Sequence, residues 1–186
     1  MPEHHPSFSV QSSVEPAVHR RAMRMHPAGV TVITLDGSEG PVGFTASSPS
    51  SLSSTPALIS FNIGVSSSSL AAVLDARTAV AHLLGDGDEH LALRFAGPAH
   101  LRFADTTLWT RAETGEPLLH GGRARLRVAL DRLVPAGDHV LVIARLLDAW
   151  FDEEPADPLV ILDGGIQAIR ASGARTPPVP ATRGRA

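Results

Sequence analysis

Strand patterns joined by short connections constrain the fold of this chain most. A β-branched run at residues 30–35 is followed by a turn at 36–40 and a second strand pattern at 42–46, which is typical of a hairpin. Further strands are predicted at residues 57–63, 78–84, 125–133, 139–150, 158–162 and 166–169. Because the predicted helices are few and short, we expect a mainly β fold, an antiparallel Greek-key-like barrel, and not a doubly wound parallel sheet.

Three helical patterns accompany these strands. Val18, Ala22 and Met25 recur at i, i+4 and i+7 and predict an amphipathic helix that begins at Glu15. Residues 70–74 predict a short helix with a serine cap, and residues 89–96 predict a short amphipathic helix.

The length of 186 residues suits one domain. We place it at residues 15–171, between a flexible N-terminus at 1–14 and a Pro-, Arg- and Gly-containing C-terminal tail at 172–186 that we expect to be disordered.

Missing residue types exclude several kinds of chemistry. The chain has no cysteine, which excludes disulfides, thiolate nucleophiles, Fe–S clusters and thiolate zinc sites. All 16 basic residues are arginine, so Schiff-base catalysis, a Walker A loop and a kinase site are also excluded. The net charge of -3 and the absence of tyrosine do not favour a nucleic-acid partner. No apolar segment is as long as the hydrophobic part of a signal peptide or as a membrane span. We therefore expect no membrane partner and a cytoplasmic location.

Common motifs for nucleotides and metals are not present. Residues 85–90 come nearest to a dinucleotide fingerprint, but they lack its last glycine and lie in an acidic turn that would repel phosphate. The sequence has no Gly-x-Ser-x-Gly elbow and no His-Glu-x-x-His pair. The nine histidines have no ligand spacing, and we therefore expect no protein-bound metal.

Two serine clusters are the strongest candidates for ligand binding. The first, residues 46–53, follows a strand, and the second, residues 66–69, opens a helix. Hydroxyls and backbone N–H groups in such a place can hold a phosphate without lysine. A serine-rich turn is also a common solvated loop, but two clusters that flank one strand can converge on a single ligand.

Four other residues, at three places in the chain, allow two interpretations at each place. His139 begins a strand and is either a solvated strand end or a catalytic group. Asn62 is the single asparagine, and its amide either faces a ligand or closes a turn. Arg102 and Phe103 either close a pocket together, or Arg102 is exposed to solvent and Phe103 belongs to the core. Taken alone, these residues predict a small β-barrel that binds a phosphorylated ligand.

The ordered motifs resemble the short flavin reductases, the FMN-binding split-barrel proteins that serve as reductase components of two-component monooxygenases. The resemblance rests on Pro-Val-Gly-Phe-Thr-Ala-Ser-Ser-Pro-Ser-Ser-Leu-Ser at 41–53 and Gly-Asp-His at 137–139. Residues 27–34, 55–58, 91–96, 102–103, 109, 116–118 and 158–159 extend it across about residues 16–170. Their order and spacing together make it specific.

The resemblance implies a homodimeric split β-barrel that binds FMN or FAD between its strands and the partner subunit. NADH or NADPH would donate a hydride to the flavin, and a partner monooxygenase would use the reduced flavin. The implied catalytic residue is His139, near the flavin and the nicotinamide. The implied cofactor-binding residues are Thr45, Ala46, Ser47, Ser48, Ser50, Ser51, Ser53, Asn62, Ser67, Ser69, Phe95 and Arg102.

Departures from the family pattern leave alternatives open. The phosphate turn has Val65 and Ser68 where a basic residue is common, which predicts weak phosphate binding and flavin as a released substrate. His82 replaces a usual Asn, and Ile161, Leu162 and Ile166 stand where aromatics and a His are common. The alternatives are a flavin-bound oxidoreductase acting on an organic substrate and a non-catalytic flavin- or haem-binding protein. Arg123, Arg125 and Arg127 either bind the 2′-phosphate of NADPH or form the wet face of a strand.

Overall fold

A computed structural model describes residues 14–47, 49–153 and 156–170, which form eleven strands and four α-helices. The helices are α1 (Pro16–Arg24), α2 (Leu70–Asp75), α3 (Glu89–Ala96) and α4 (Ala99–Arg102). The strands are β1 (Ala28–Gly37), β2 (Gly40–Ser47), β3 (Ser50–Ser54), β4 (Ala57–Gly64), β5 (Thr78–Leu83), β6 (Trp109–Arg111), β7 (Pro117–Leu119), β8 (Ala124–Ala136), β9 (His139–Phe151), β10 (Leu159–Leu162) and β11 (Gly165–Ala168).

Nine strands form one antiparallel sheet that curls into an open barrel. Its order is β11-β10-β1-β5-β8-β9-β4-β3, and β2 pairs with β1 as a hairpin. Within the described residues β2 and β4 approach each other, but no hydrogen-bonded ladder joins them. The barrel is therefore split between β2 and β4, and the predicted mainly β antiparallel fold is confirmed.

Strand β1 separates two hydrophobic cores because its alternate side chains point to opposite faces. Ile33 and Leu35 belong to the cluster inside the barrel, together with Phe61 of β4. Val30 and Val32 belong to a second cluster on the outer face, which α3 and the β6–β7 hairpin cover. Strand β1 is thus buried on both faces, which explains its continuous apolar and β-branched sequence.

A histidine is sealed beneath the β6–β7 hairpin. His82 of β5 is 0% exposed, and its Nε2 lies 3.0 Å from Oγ1 of Thr34. The Thr34 hydroxyl donates its single hydrogen to the Pro117 carbonyl at 2.6 Å. It therefore accepts the hydrogen bond from His82, and the N–H of the ring is at Nε2. Nδ1 of His82 has no hydrogen-bond partner among the described residues. Burial and the charge of Arg125 lower the pKa of His82 to about 3, so its ring is neutral.

The structure extends the strand prediction in three places. Ser50–Ser54 forms β3 on the sheet edge, where we predicted only a serine-rich stretch; its backbone pairs with β4, and an edge strand does not require an apolar pattern. The stretch between the predicted helix at 89–96 and the predicted strand at 125–133, where we predicted no strand, contains the β6–β7 hairpin. Strand β8 runs on through residues 134–136 of the predicted connector, so only Gly137, with φ of 65°, and Asp138 form the turn.

Helix α1 forms as predicted, but its apolar face is not buried. Val18 is 55% and Met25 is 72% exposed, and no residue of α1 is buried. The helical pattern therefore predicted the element correctly, and its apolar side chains are exposed in the single chain. None of the helices in the described ranges is long and apolar enough to cross a membrane. Residues 1–13 and 171–186 lie outside the described residues, so the predictions for both ends stay predictions.

Candidate functional site

A cleft of about 660 Å³ lies over the split between β2 and β4. This volume falls within the range of small-molecule sites, about 300–1,000 Å³. Its walls come from the ends of β2 and β4, the turn after β4, α1, α3, α4 and the β8–β9 turn. The lining residues are His19, Met23, Phe44, Thr45, Ala46, Ser47, Asn62, Ile63, Gly64, Ser67, Phe95, Ala96, Arg102, Ala136 and His139.

The cleft collects residues that are distant in sequence, and most of the predicted site lies there. The predicted residues that line it are Thr45, Ala46, Ser47, Asn62, Ser67, Phe95, Arg102 and His139. Ser50, Ser51 and Ser53 lie on β3 and do not line it. Ser48 lies outside the described residues. The first serine cluster therefore contributes its strand end to the cleft, and its edge-strand portion faces elsewhere.

Arg102 is held in the cleft wall by neutral groups. Its Nε and Nη2 donate to the Gly97 carbonyl at 3.0 and 2.8 Å. Its Nη1 donates to the Gly43 carbonyl at 2.8 Å and to Oγ of Ser69 at 2.9 Å. Helix α4 places this side chain, because Arg102 is its last residue. The guanidinium is thereby fixed between the middle of β2, at Gly43, and the turn before α2.

The charge of Arg102 has no carboxylate partner among the described residues. None of the ion pairs in that part of the chain includes it. Burial lowers the pKa of Arg102, because desolvation disfavours the charged form. Arginine nevertheless stays protonated in proteins. A half-buried, uncompensated guanidinium at a cleft attracts an anionic group, and phosphate is a good geometric match for it.

The second serine cluster is arranged differently from the prediction. Ser69 occupies the N-cap position of α2, as predicted, but its side chain makes no capping hydrogen bond. The hydroxyl is buried against Arg102 instead and is not in the cleft lining. Ser67 does line the cleft, and its Oγ accepts from the Ser69 N–H at 3.2 Å. Ser67 thus presents the turn to a ligand, while Ser69 supports the arginine.

His139 is oriented by its neighbour at the mouth of the cleft. Its Nδ1 lies 2.8 Å from Oδ1 of Asp138, and the side chain of His139 is 50% exposed. The hydrogen bond from His139, followed by the charge of its ring, lowers the pKa of Asp138. Because an ionised carboxylate only accepts, Nδ1 of His139 carries a proton. The other ring nitrogen, Nε2, lies 3.8 Å from where a Cβ on Gly64 would be, so it faces the cleft.

A glycine allows the opposite wall to close. A Cβ on Gly43 of β2 would lie 2.7 Å from Cε1 of Phe95 and 3.0 Å from the Ile33 carbonyl oxygen. Phe95 packs edge-on against Phe103, with ring centroids 5.0 Å apart. The Thr45 hydroxyl donates to the Ala92 carbonyl at 2.7 Å and so ties β2 to α3. Thr45 therefore offers the cleft its backbone, since its hydroxyl is already engaged.

Sequence reasoning missed His19 and Met23 of α1. Both line the cleft and lie one helical turn apart, on one face of the helix. His19 is close enough to Asp138 for its charge to lower the pKa of that carboxyl. No local signal identifies these residues, because the position of α1 beside the β8–β9 turn depends on the tertiary fold.

Two groups that the sequence offered as possible nucleotide-binding sites, the arginines at 123–127 and the acidic turn at 85–90, have structural roles. Arg127 pairs with Glu116 through Nε and Oε1 at 2.8 Å, and Arg123 donates to the Ala156 carbonyl at 2.6 Å. Neither of them lines the cleft. In the acidic turn at 85–90, Asp88 accepts from the N–H groups of Gly85 and Gly122 at 2.9 and 3.0 Å. The Asp88 carboxylate thus links two backbone segments of the fold. This structural role agrees with the poor fit of the turn to a dinucleotide fingerprint.

Known proteins share both the sequence and the fold of this chain. Residues 23–170 match the family described as flavin reductase like domain. The NADH:FMN oxidoreductase of Rhodococcus qingshengii is 52% identical over 149 residues, which cover 78% of each chain. Among solved structures, the NADH:FAD oxidoreductase of Streptomyces globisporus C-1027 is 29% identical with a TM-score of 0.78, covering 88% of this chain and 100% of that chain.

A further solved structure comes from a bacterial two-component system. It is BorF, the flavin reductase component of a tryptophan halogenase, which is 28% identical with a TM-score of 0.77 and covers 85% of this chain and 100% of that chain. The resemblance inferred from ordered motifs is therefore confirmed by sequence and by structure. The chain belongs to the flavin reductase family.

Proposed function

We propose that this chain is an NADH:flavin oxidoreductase that reduces FMN or FAD in the cleft between β2 and β4. The observation that carries the proposal is Arg102, a guanidinium that lines the cleft and that, within the described part of the chain, is held by carbonyls and a hydroxyl alone. In a member of the flavin reductase family, such a group suits the phosphate of a flavin.

The residues of the cleft fit a flavin in charge and in polarity. Arg102 and Ser67 lie together at the turn before α2 and suit the phosphate end. The ends of β2 and β4 supply backbone groups beside Ser47 and the exposed amide of Asn62, which suit a polar ring edge. Arg102 also replaces the basic residue absent at Val65 and Ser68, because α4 delivers its charge to the same turn.

When bound, the flavin supplies the redox chemistry, since its ring accepts a hydride from the nicotinamide. The chain has to bind the two rings together and keep them aligned. Phe95 and Gly43 shape one wall, and the strand ends shape the other. No acid or nucleophile has to form a covalent bond, which agrees with a cleft whose described titratable residues are His19, Arg102 and His139.

We assign His139 as the residue closest to the chemistry. Asp138 fixes the ring through Nδ1, so Nε2 is directed toward the cleft. In that position Nε2 can hydrogen-bond a polar atom of the flavin or the nicotinamide and can hold a proton there. Its contribution is orientation and polarity, and we expect a moderate effect on rate.

The proposal includes assembly and supply of reduced flavin. We propose a homodimer, because the exposed apolar residues include Leu52 on the β3 edge and Trp150 and Phe151 at the end of β9. BorF is the flavin reductase component of a two-component halogenase, and a flavin-dependent monooxygenase is the corresponding partner proposed here. A cytoplasmic location, where NADH is available, belongs to the same proposal.

NADH oxidation by the purified chain with FMN, FAD or no added flavin tests this function. The expected result is rapid, saturable NADH consumption only when FMN or FAD is added, with slower turnover of NADPH. Consumption of NADH that requires an organic substrate and no added flavin would contradict it and favour a flavin-bound oxidoreductase. Flavin binding without NADH oxidation would contradict it and favour a non-catalytic carrier.

A further inference from the structure

A second cavity of about 290 Å³ opens beside the cleft, along helix α1. The two spaces have three lining residues in common, His19, Met23 and Ser47, and are therefore adjacent. The remaining wall of the second cavity comes from Arg20, Arg24, His26, Ala28, Ile161 and Gly164. A ligand that extends out of the cleft past α1 would enter this space.

The second cavity is basic in a chain of net charge -3. Residues 16–26 contain three arginines and two histidines and no acidic residue. Arg20 and Arg24 lie at i and i+4, so they share a face of α1 and both line the cavity. No salt bridge within the described ranges involves either side chain. Their charges are thus available to an anion.

Its floor is apolar. Ile161 of β10 and Ala28 of β1 are cross-strand partners, and both line the cavity below the arginines. The guanidinium of Arg24 extends over the β10–β11 turn, where its Cζ lies 3.7 Å from the Cβ position of Gly164. Two cationic groups above a small apolar floor suit a phosphate chain attached to a flat, weakly polar group.

Other depressions do not offer the same combination. The one beside α2 is lined by Asp36, Glu39 and Asp75, carries acidic groups, and has no lining residue in common with the cleft. The one at the end of β9 contains Arg125 together with Asp152 and Glu153 and is also separate from the cleft. Of these three spaces, only the one along α1 is both basic and adjacent to the cleft.

We propose that Arg20 and Arg24 bind the adenosine diphosphate portion of a dinucleotide whose redox ring occupies the cleft. This rests on the proposed function. NADH and FAD both contain that portion, whereas FMN does not, so the two sources can be separated. With NADH, the arginines determine affinity for the hydride donor; with FAD, they determine preference for FAD over FMN.

The test compares Arg20→Gln/Arg24→Gln with Arg21→Gln, a variant that removes a charge from the same helix but lines neither cavity. With FMN as acceptor, a rise of roughly tenfold in the KM for NADH in the double variant assigns the arginines to the donor. If instead the KM for FAD rises by a similar factor while that for FMN stays constant, they are assigned to the acceptor. Either result supports the proposal.

A binding measurement separates this proposal from the proposed function. ADP-ribose carries the adenosine diphosphate portion without a redox ring, so calorimetry with the wild-type chain requires no turnover. We expect binding that weakens with added salt and weakens roughly tenfold in the double variant, but not in Arg21→Gln. Equal ADP-ribose affinity and equal KM values in wild type, double variant and Arg21→Gln would overturn the proposal, even if the chain reduces flavin.

Discussion

Two histidines of the same sheet have opposite environments. His82 is 0% exposed and neutral; its Nε2 is hydrogen-bonded to Thr34, and no described residue donates to its Nδ1. The His139 side chain is 50% exposed, with Nδ1 fixed by Asp138 and Nε2 directed toward the cleft. The buried region beneath the β6–β7 hairpin thus isolates its polar groups from solvent, whereas the cleft leaves hydrogen-bonding capacity for a ligand.

Two arginines show the same contrast. Arg127 pairs with Glu116, whose side chain is 2% exposed. Burial alone would raise the pKa of Glu116, but hydrogen bonds from Thr114, Thr78, its own backbone and Arg127 lower it overall. Among the residues that the structure describes, Arg102 has only neutral partners, and its charge in the cleft is uncompensated there. Charge matched within the fold supports stability, and charge left unmatched at a cleft supports binding.

The largest expected effect of a substitution at neutral pH comes from Arg127→Gln, because it leaves the Glu116 carboxylate buried without its cation. We expect the free energy of unfolding to fall by about 3 kcal/mol. Arg111→Gln removes the exposed Arg111–Asp36 pair, 2.7 Å apart with 43% and 48% of the side chains exposed, and serves as the control. That control should lose less than about 1 kcal/mol. Chemical denaturation measures both, and equal losses would contradict the contrast.

Gly43→Ala tests the boundary between the core and the cleft. Its new Cβ would clash with Phe95, so we expect a loss of about 1–3 kcal/mol in the free energy of unfolding. Because Phe95 lines the cleft, flavin affinity should fall too. Gly29→Ala is the control, since a Cβ on Gly29 meets nothing within 4 Å. A stable Gly43→Ala variant with unchanged flavin affinity would show that the wall is not tight.

His82 predicts a stability loss in mild acid. Its pKa is about 3 in the folded chain and 6.5 when unfolded, so between these values only the unfolded state binds the proton. Unfolding free energy should therefore fall as pH drops below 6.5, with a slope of about 1.4 kcal/mol per pH unit from this residue. Above that pH the contribution is complete.

The control for this slope is the chain without the buried histidine. His82→Asn should flatten the pH dependence of stability between 6.5 and 3 relative to wild type. Carboxylates titrate in both proteins, so the difference between the two slopes isolates His82. Urea denaturation at several pH values measures both slopes, and a wild-type slope in His82→Asn would show that His82 is not responsible.

The smallest effect is expected for His139→Gln. Loss of one hydrogen bond to a ligand corresponds to about 0.5–1.5 kcal/mol, so kcat/KM should fall by roughly twofold to tenfold. His19→Gln is a matched comparison in the same cleft, and we expect a smaller change. A loss of several thousandfold would assign acid–base catalysis to His139, contrary to our account.

Local patterns predicted much of the fold because strands and hairpins leave local signals. The β1–β2 hairpin and the long β8 and β9 strands follow from β-branched runs and turn residues. Strand β3 was missed because an exposed edge strand of serines has no alternation of apolar residues. Helix α1 was predicted as a helix because its periodicity is local. Its position beside the cleft could not be predicted, because that position depends on contacts with residues far along the chain.

The site was predictable where motifs mark it and not where side chains converge from distant elements. Ser47, Asn62 and His139 were identified from strand ends and from the family pattern, and they line the cleft. The serine sequence could not reveal that Ser69 faces Arg102, because residues 69 and 102 meet only in the folded chain. For the same reason, Arg102 was an ambiguous residue in the sequence and is a central one in the structure.

Flavin titration tests the central claim most directly. FMN binding is measured by fluorescence for the wild type, Arg102→Gln and Arg111→Gln, whose arginine is an exposed residue outside the cleft lining. A charged hydrogen bond corresponds to about 1.5–3 kcal/mol, so Arg102→Gln should raise the Kd for FMN roughly tenfold to a hundredfold. Arg111→Gln should match the wild type. Equal FMN affinity in all three proteins, with Arg102→Gln folded by circular dichroism, would contradict the flavin site proposed between β2 and β4.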